Sequence, residues 1–315
     1  MADALRPVLD FLVTSPWSRV WPFFALPLIA LAFLRSALAR IEADGANPRR
    51  QARLAALAAC VPGLITLGLT AGLGFRFRGL QPESFDCYVK LFGPLALAGA
   101  ALMRSGGSLL ARRVRLARLL RYAGPASSPR LAALAARLGV PVREVPVESS
   151  ICFVSGFRAP VVVVSTGTVA TLSDEELRTA LLHERAHLRS RDGFWSTLVT
   201  AVSEFCLFSS AKALRLYRAS RESLADDEAA RQVGGTEVAG VLVRFARNAA
   251  RIPVASSLAE PGTLERRVRR LIAPEGRTAR TDARATAALL AASAGLALYP
   301  AAHLFLERVV LHCGG

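Results

Sequence analysis

Apolar residues recur along this chain in two regimes, and the change between them divides it. Near-continuous apolar runs occupy the N-terminal and C-terminal parts, whereas the middle alternates short apolar stretches with charged turns. In the middle, LSDEELRTALLHERAHL carries Leu177, Ala180, Leu181 and Leu182 at helical spacing, with Ser173 placed as N-cap and Glu176 three residues on. That pattern predicts an amphipathic helix opened by a capping box. Pro129 to Leu138 predicts a shorter helix. VPVREVPVE and then ICFVSGFRAPVVVVS predict strands, the latter as two apolar runs joined at Gly156 with Pro160 opening the second. Phe194 to Leu214 reads as a long apolar helix interrupted by Glu204 and several serines. It is either a packed helix returning the chain or a membrane-dipping segment, and the interior Glu204 argues against full spanning.

The long runs change the picture from a globular enzyme to a membrane protein. Leu54 to Phe75 and Ala285 to Leu306 are long enough to cross a hydrocarbon core, the first without charge and the second with only His303. Val20 to Leu34 and Tyr88 to Met103 are shorter and complete an expected set of four spans. No small-residue cleavage site supports a signal peptide for the first. The loop from Arg35 to Arg53 holds five arginines against Glu42 and Asp44, while Arg76 to Cys87 balances two arginines with Glu83 and Asp86. By the positive-inside rule the first loop is cytoplasmic and the second outside. Residues 104–284 are then expected in the cytoplasm and the C-terminal tail outside. The net charge of +16, almost wholly arginine, sits mostly in these flanking clusters and is better explained by topology and anionic lipid than by direct nucleic acid binding. The five cysteines form no Cys-x-x-Cys pair. The expected topology puts Cys87 and Cys313 on one outer side, where a disulfide is conceivable, and leaves Cys60, Cys152 and Cys206 as small apolar packing residues.

Within the capped helix, His183 and His187 are four apart with Glu184 directly after the first. Residues at that spacing share a helix face, so two imidazoles can grip one zinc ion while Glu184 meets the water it activates. The bland alternative is an amphipathic helix with two solvated or core histidines. Only four histidines occur in the chain, and the other two, His303 and His312, lie at the far C-terminus. A catalytic zinc site needs three protein ligands and an open position. RASRESLADDEAARQVGG supplies Glu222 as third ligand, with Asp226 four residues on to accept the outer N–H of a zinc histidine. Asp227 and Glu228 read as a solvated acidic face. For the oxyanion, Arg221 and Tyr217 are near in sequence.

These motifs together resemble the BlaR/MecR-type antirepressor metallopeptidases: Pro-x-Val-Val-Val-Ser ahead of the helix, His-Glu-x-x-His followed by Arg-Ser-Arg-Asp (Arg189 to Asp192), and the later Glu-x-x-x-Asp. More distantly the pattern is similar to the HtpX and CAAX prenyl protease class of membrane zinc peptidases. The interval from His187 to Glu222 is too short for the pair of spans that HtpX-type enzymes carry there. The resemblance implies a protein or peptide substrate, such as a cytosolic transcriptional repressor or the chain itself. The large extracytoplasmic sensor domain of such antirepressors is not expected after the fourth span, which leaves either a separate sensor protein or a constitutive substrate.

The resulting expectation is an α+β architecture: a multi-span α-helical membrane protein whose mainly helical, zincin-like cytosolic metallopeptidase domain carries a small β-sheet. Residues 1–111 form a membrane region with spans at about 20–34, 54–75 and 88–103; residues 112–283 form the catalytic domain; residues 284–315 hold the fourth span, about 285–306, and a tail. One zinc ion per chain serves Glu184 as general base in peptide-bond hydrolysis. An edge strand of the small sheet would align an extended substrate, and Val161, Val162, Val163, Val164 and Ser165, or else Ile151 to Ser155, are placed there. A quality-control or precursor-processing protease of HtpX type and a non-catalytic metal-binding scaffold are the competing readings; intact Glu184 speaks against the second.

Overall fold

The computed structural model describes residues 21–43, 47–76, 85–156, 159–204, 211–250, 263–273, 284–296 and 298. Ten helices and a three-stranded sheet are delimited within them: α1 (Trp21–Ala43), α2 (Pro48–Arg76), α3 (Phe85–Leu120), α4 (Pro129–Leu138), β1 (Val142–Val145), β2 (Cys152–Ser155), β3 (Val161–Ser165), α5 (Thr166–Thr171), α6 (Asp174–Arg189), α7 (Asp192–Glu204), α8 (Ala211–Val233), α9 (Gly235–Ala250) and α10 (Thr263–Ile272). A further helical stretch covers 284–296.

The local chemistry of the middle region accounts for its elements. Ser128 caps α4 by accepting from the Leu131 N–H, Pro129 opens it, and Gly139 closes it in the left-handed region at φ 62°. Ser173 and Glu176 form the reciprocal capping box of α6. Each such cap is worth about 1 kcal/mol, and here it fixes where the histidine-bearing turns of α6 fall.

The sheet order is β1-β3-β2, with β1 parallel and β2 antiparallel to β3. Val162, Val163 and Val164 are fully buried in the middle strand. An uninterrupted valine run is the signature of a strand covered on both faces, and pairing with β1 on one side and β2 on the other leaves β3 no free edge. The assignment of Val161 to Ser165 as a substrate-pairing edge is therefore corrected: β2 is the edge beside α6, antiparallel to β3 through Cys152↔Val164 and Ser155↔Val161. Gly156 ends β2 at φ 109°, where a Cβ would sit 2.7 Å from the Ala159 carbonyl oxygen. Only glycine fits there without strain.

Three apolar cores are delimited among the described residues, and the histidine helix α6 contributes Leu177 and Leu181 to one and Leu182, with Ala229 and Val238, to another. In the first, Leu177 and Leu181 pack on Val162 and Val164 of β3 and on Leu131 and Leu134 of α4. In the remaining core, Leu214, Leu216 and Tyr217 of α8 join Val199 of α7, Leu34, Leu38 and Ile41 of α1, and Leu54 and Val61 of α2 in a single cluster. Lys212 pairs with Glu42 at 2.7 Å and Ser220 donates to Gln51 Oε1 at 2.9 Å, tying α8 to the segment around α1 and α2.

The α1–α2–α8 core corrects the membrane reading. Among the described residues no helix is long and apolar enough to cross a membrane, so the four-span architecture is overturned, and with it the multi-pass location with a cytoplasmic catalytic domain and an extracytoplasmic C-terminus. Part of the apolar surface that suggested lipid contact is used in helix-to-helix packing: Ala55, Ala58 and Ala59 of α2 are fully buried against their neighbours, while Leu57 of the same helix is exposed. Long apolar runs signal burial on all sides, and a protein core satisfies that signal as well as lipid does. Part of the expected fourth span, His303, His312, Cys206 and Cys313, and the side chain of Cys87, lie outside the described residues. Cys60 and Cys152 are free thiols.

Candidate metal centre

His183 and His187 stand one turn apart on α6, and Glu222 projects from α8, which packs directly on that helix. One ligand atom from each lies within 4.8 Å of the others. The two Nε2 atoms face each other at 3.1 Å. Glu222 Oε2 is 3.5 Å from His183 Nε2, and its Oε1 is 3.7 Å from His187 Nε2. Ligand atoms about 2.0–2.2 Å from a tetrahedral zinc are separated by roughly 3.3–3.5 Å, so the spacing of this triad fits that ion.

The outer ring nitrogens are engaged as well. His187 Nδ1 is 2.6 Å from Asp192 Oδ2 at the start of α7. His183 Nδ1 lies 3.1 Å from Asp226 Oδ1, close enough to pair though not aligned as a hydrogen bond. Both Nε2 atoms are thereby left to face inward, and a histidine so held presents its free nitrogen to a metal with its tautomer fixed. The carboxylates are themselves anchored. Arg267 of α10 donates from Nε and Nη2 to Asp226 at 2.7 and 2.8 Å and reaches Glu222 Oε2 at 3.1 Å, while Arg221 pairs with Asp192.

Burial and charge set the protonation states. Burial opposes the protonated ring of His183, yet Asp226 and Glu222 outweigh it and raise that group to about 10. His187 is lowered, by burial and by the positive ring beside it. Burial would raise Glu222, but His183 and Arg267 hold it well below the usual carboxylate range; burial would raise Asp226 too, and Arg267 and His183 lower it. Glu184, only 9% exposed, moves the opposite way because burial dominates. It also takes a main-chain hydrogen bond from Val154, which seats its carboxyl against the edge strand β2.

Sequence reasoning brought together His183, Glu184, His187, Glu222 and Asp226, and the fold gathers all five. It passed over the roles of two residues. Asp192 was read only as the end of the Arg-Ser-Arg-Asp run, although a carboxylate five positions after a ligand histidine and just past the helix end is in reach of its ring. Arg267 had no local signal, because its distance in sequence from Asp226 is bridged only by tertiary packing. Of the two oxyanion candidates, Arg221 is committed to Asp192, and Tyr217 is buried in the α1–α2–α8 core. Asp227 and Glu228, expected on a solvated face, pair with Arg270 and with Arg231.

Comparison with known proteins gives one finding. The BlaR1 peptidase M56 family matches residues 141–232, from the approach to β1 through nearly all of α8; no curated protein and no solved structure matches the chain. The segment that holds the sheet, the His-Glu-x-x-His helix and Glu222 is thus similar to the BlaR1 peptidase M56 family.

Proposed function

We propose that the chain is a zinc-dependent endopeptidase with His183, His187 and Glu222 as metal ligands and Glu184 as general base. The observation that carries this reading is the inward convergence of both Nε2 atoms and the Glu222 carboxylate while each outer nitrogen meets a buried carboxylate. A zinc ion held by those three groups supplies an acidified water and a Lewis acid for the peptide carbonyl. Glu184 takes the proton from the attacking water and delivers it to the leaving amine nitrogen. Its burial suits the task, since a carboxyl raised by desolvation is a stronger base than an exposed one. Edge strand β2 is paired with a strand on one side only and lies against Glu184 through Val154, so an extended peptide added along it would carry its scissile amide past that carboxyl.

The biological role proposed is regulated proteolysis, with a transcriptional repressor or the chain itself as substrate. Terminal-peptide mapping of cells producing the wild-type chain or its Glu184→Gln form tests this directly. A set of fragments that depends on Glu184 supports regulated cleavage; the absence of any such fragment across envelope stresses would leave a metal-binding scaffold as the better account.

A further inference from the structure

Beside the metal centre, between α2, the end of α6, the start of α7 and α8, lies a cleft of about 790 Å³. Five arginines line it: Arg49 and Arg53 from α2, Arg189 from the end of α6, and Arg221 and Arg231 from α8. Only Asp192 and Glu228 oppose them. Glu228 is shared between Arg189 and Arg231, and Asp192 is already taken by His187 and Arg221. Arg49 and Arg53 are exposed and have no acidic partner among the described residues. Arg221 Nε is buried with its N–H unsatisfied. Five fixed positive charges against two negative, with a buried guanidinium donor left over, leave a surplus that an anion would neutralise.

The cleft is continuous with the edge strand. The main chain at Gly193 approaches the end of β2 so closely that a Cβ there would lie 3.5 Å from the Gly156 carbonyl oxygen. Its neighbours Asp192 and Trp195 line the cleft, and Trp195 is 49% exposed. An extended chain lying along β2 past Glu184 thus reaches the Asp192–Trp195 corner and meets the arginines.

From this juxtaposition we infer that the arginine cleft is a specificity site for an acidic peptide segment flanking the scissile bond. The inference rests on the endopeptidase reading for the phrase "scissile bond" but not for binding. Carboxylate side chains pair with the arginine forks, and the Trp195 face covers the aliphatic part of the segment. Peptides with aspartate and glutamate to one side of the cleaved bond are the preferred substrate class.

The test uses the full chain with Glu184→Gln, so that binding is read without turnover, and three labelled peptides of equal length with acidic, neutral and basic flanks. Fluorescence anisotropy should show the acidic peptide binding about tenfold or more tightly than the neutral one, with the difference shrinking as salt is raised. Arg49→Glu together with Arg53→Glu alters only exposed side chains. It should abolish that preference and shift it toward the basic peptide. Equal binding of all three peptides overturns the inference, as does arginine-dependent binding of inorganic phosphate or anionic vesicles with no preference for the acidic peptide. The two readings separate cleanly. Acidic peptides that bind through Arg49 and Arg53 but are never cut by the zinc-loaded wild type would sink the peptidase and spare the cleft; Glu184-dependent cleavage with no charge preference would do the reverse.

Discussion

His187 Nδ1 sits 2.6 Å from Asp192 Oδ2, and the same carboxylate is gripped by Arg221. The contact crosses the break between α6 and α7, where Arg191 adopts a left-handed φ of 50°. A non-glycine residue in that region costs of order 1 kcal/mol, offset here by the turn that brings Asp192 back under the histidine. Removing the carboxylate should loosen the ring rather than remove a ligand. Asp192→Ala should weaken zinc binding by about ten- to a hundredfold, and Asp192→Asn by less, since the amide oxygen still accepts the ring N–H. Chelator competition reads both. Unchanged affinity in the alanine form would mean that Asp192 does not orient His187.

Arg267 is the corresponding anchor on the other histidine. It holds Asp226 with two hydrogen bonds and reaches Glu222, so α10 closes the site although it lies outside the matched family segment. Arg267→Met leaves Asp226, 1% exposed, with His183 as its one remaining charged partner among the described residues and removes both hydrogen bonds that anchor it. That loss is expected to cost about 3–5 kcal/mol of stability, seen as a lower midpoint in urea unfolding. Arg267→Lys restores charge without the fork and should recover part of the stability but little of the zinc affinity. Two variants with wild-type midpoints would show that the pair is not buried as described.

How much of this was legible in the sequence depended on the range of the interaction. The capping box of α6, the α4 helix and the three short strands follow from neighbours a few residues apart, as do the shared faces of His183 with His187 and of Glu222 with Asp226. The edge of the sheet did not follow, because strand order is a tertiary property; the buried run at Val162 to Val164 should have argued for a central strand. The apolar run from Leu54 was misjudged for a related reason. Hydropathy reports the wish to be buried and not the partner, and α2 finds its partners in α8 and α1. Arg267 was invisible until packing placed it against Asp226.

Zinc binding should depend on pH with a definite sign. Before metal enters, His183 is raised to about 10, His187 is lowered, and Glu222 is held well below the carboxylate range. Near neutrality His183 alone of the three ligands therefore carries a proton that the metal must displace. Apparent affinity should rise about tenfold per pH unit across roughly pH 7 to 9 and level off above about 10. Calorimetry in buffers of different ionisation enthalpy should count about one proton released per zinc at pH 7. Zero release would mean that His183 is already neutral and that Asp226 does not hold its proton.

Glu184 gives the sharpest separation of chemistry from structure. Its carboxyl is nearly buried, lies against β2 through the Val154 main chain, and is not among the three groups that converge on the metal position. Glu184→Gln keeps volume and an oxygen that accepts from Val154, but its amide cannot take a proton from water. The variant should bind zinc with an affinity within a few-fold of wild type and melt at the same temperature. Peptide cleavage should fall by about 10²–10⁴, the usual contribution of a positioned general base. Loss of zinc together with activity would make Glu184 a ligand or a structural strut, and full cleavage without the carboxylate would remove it from the mechanism altogether.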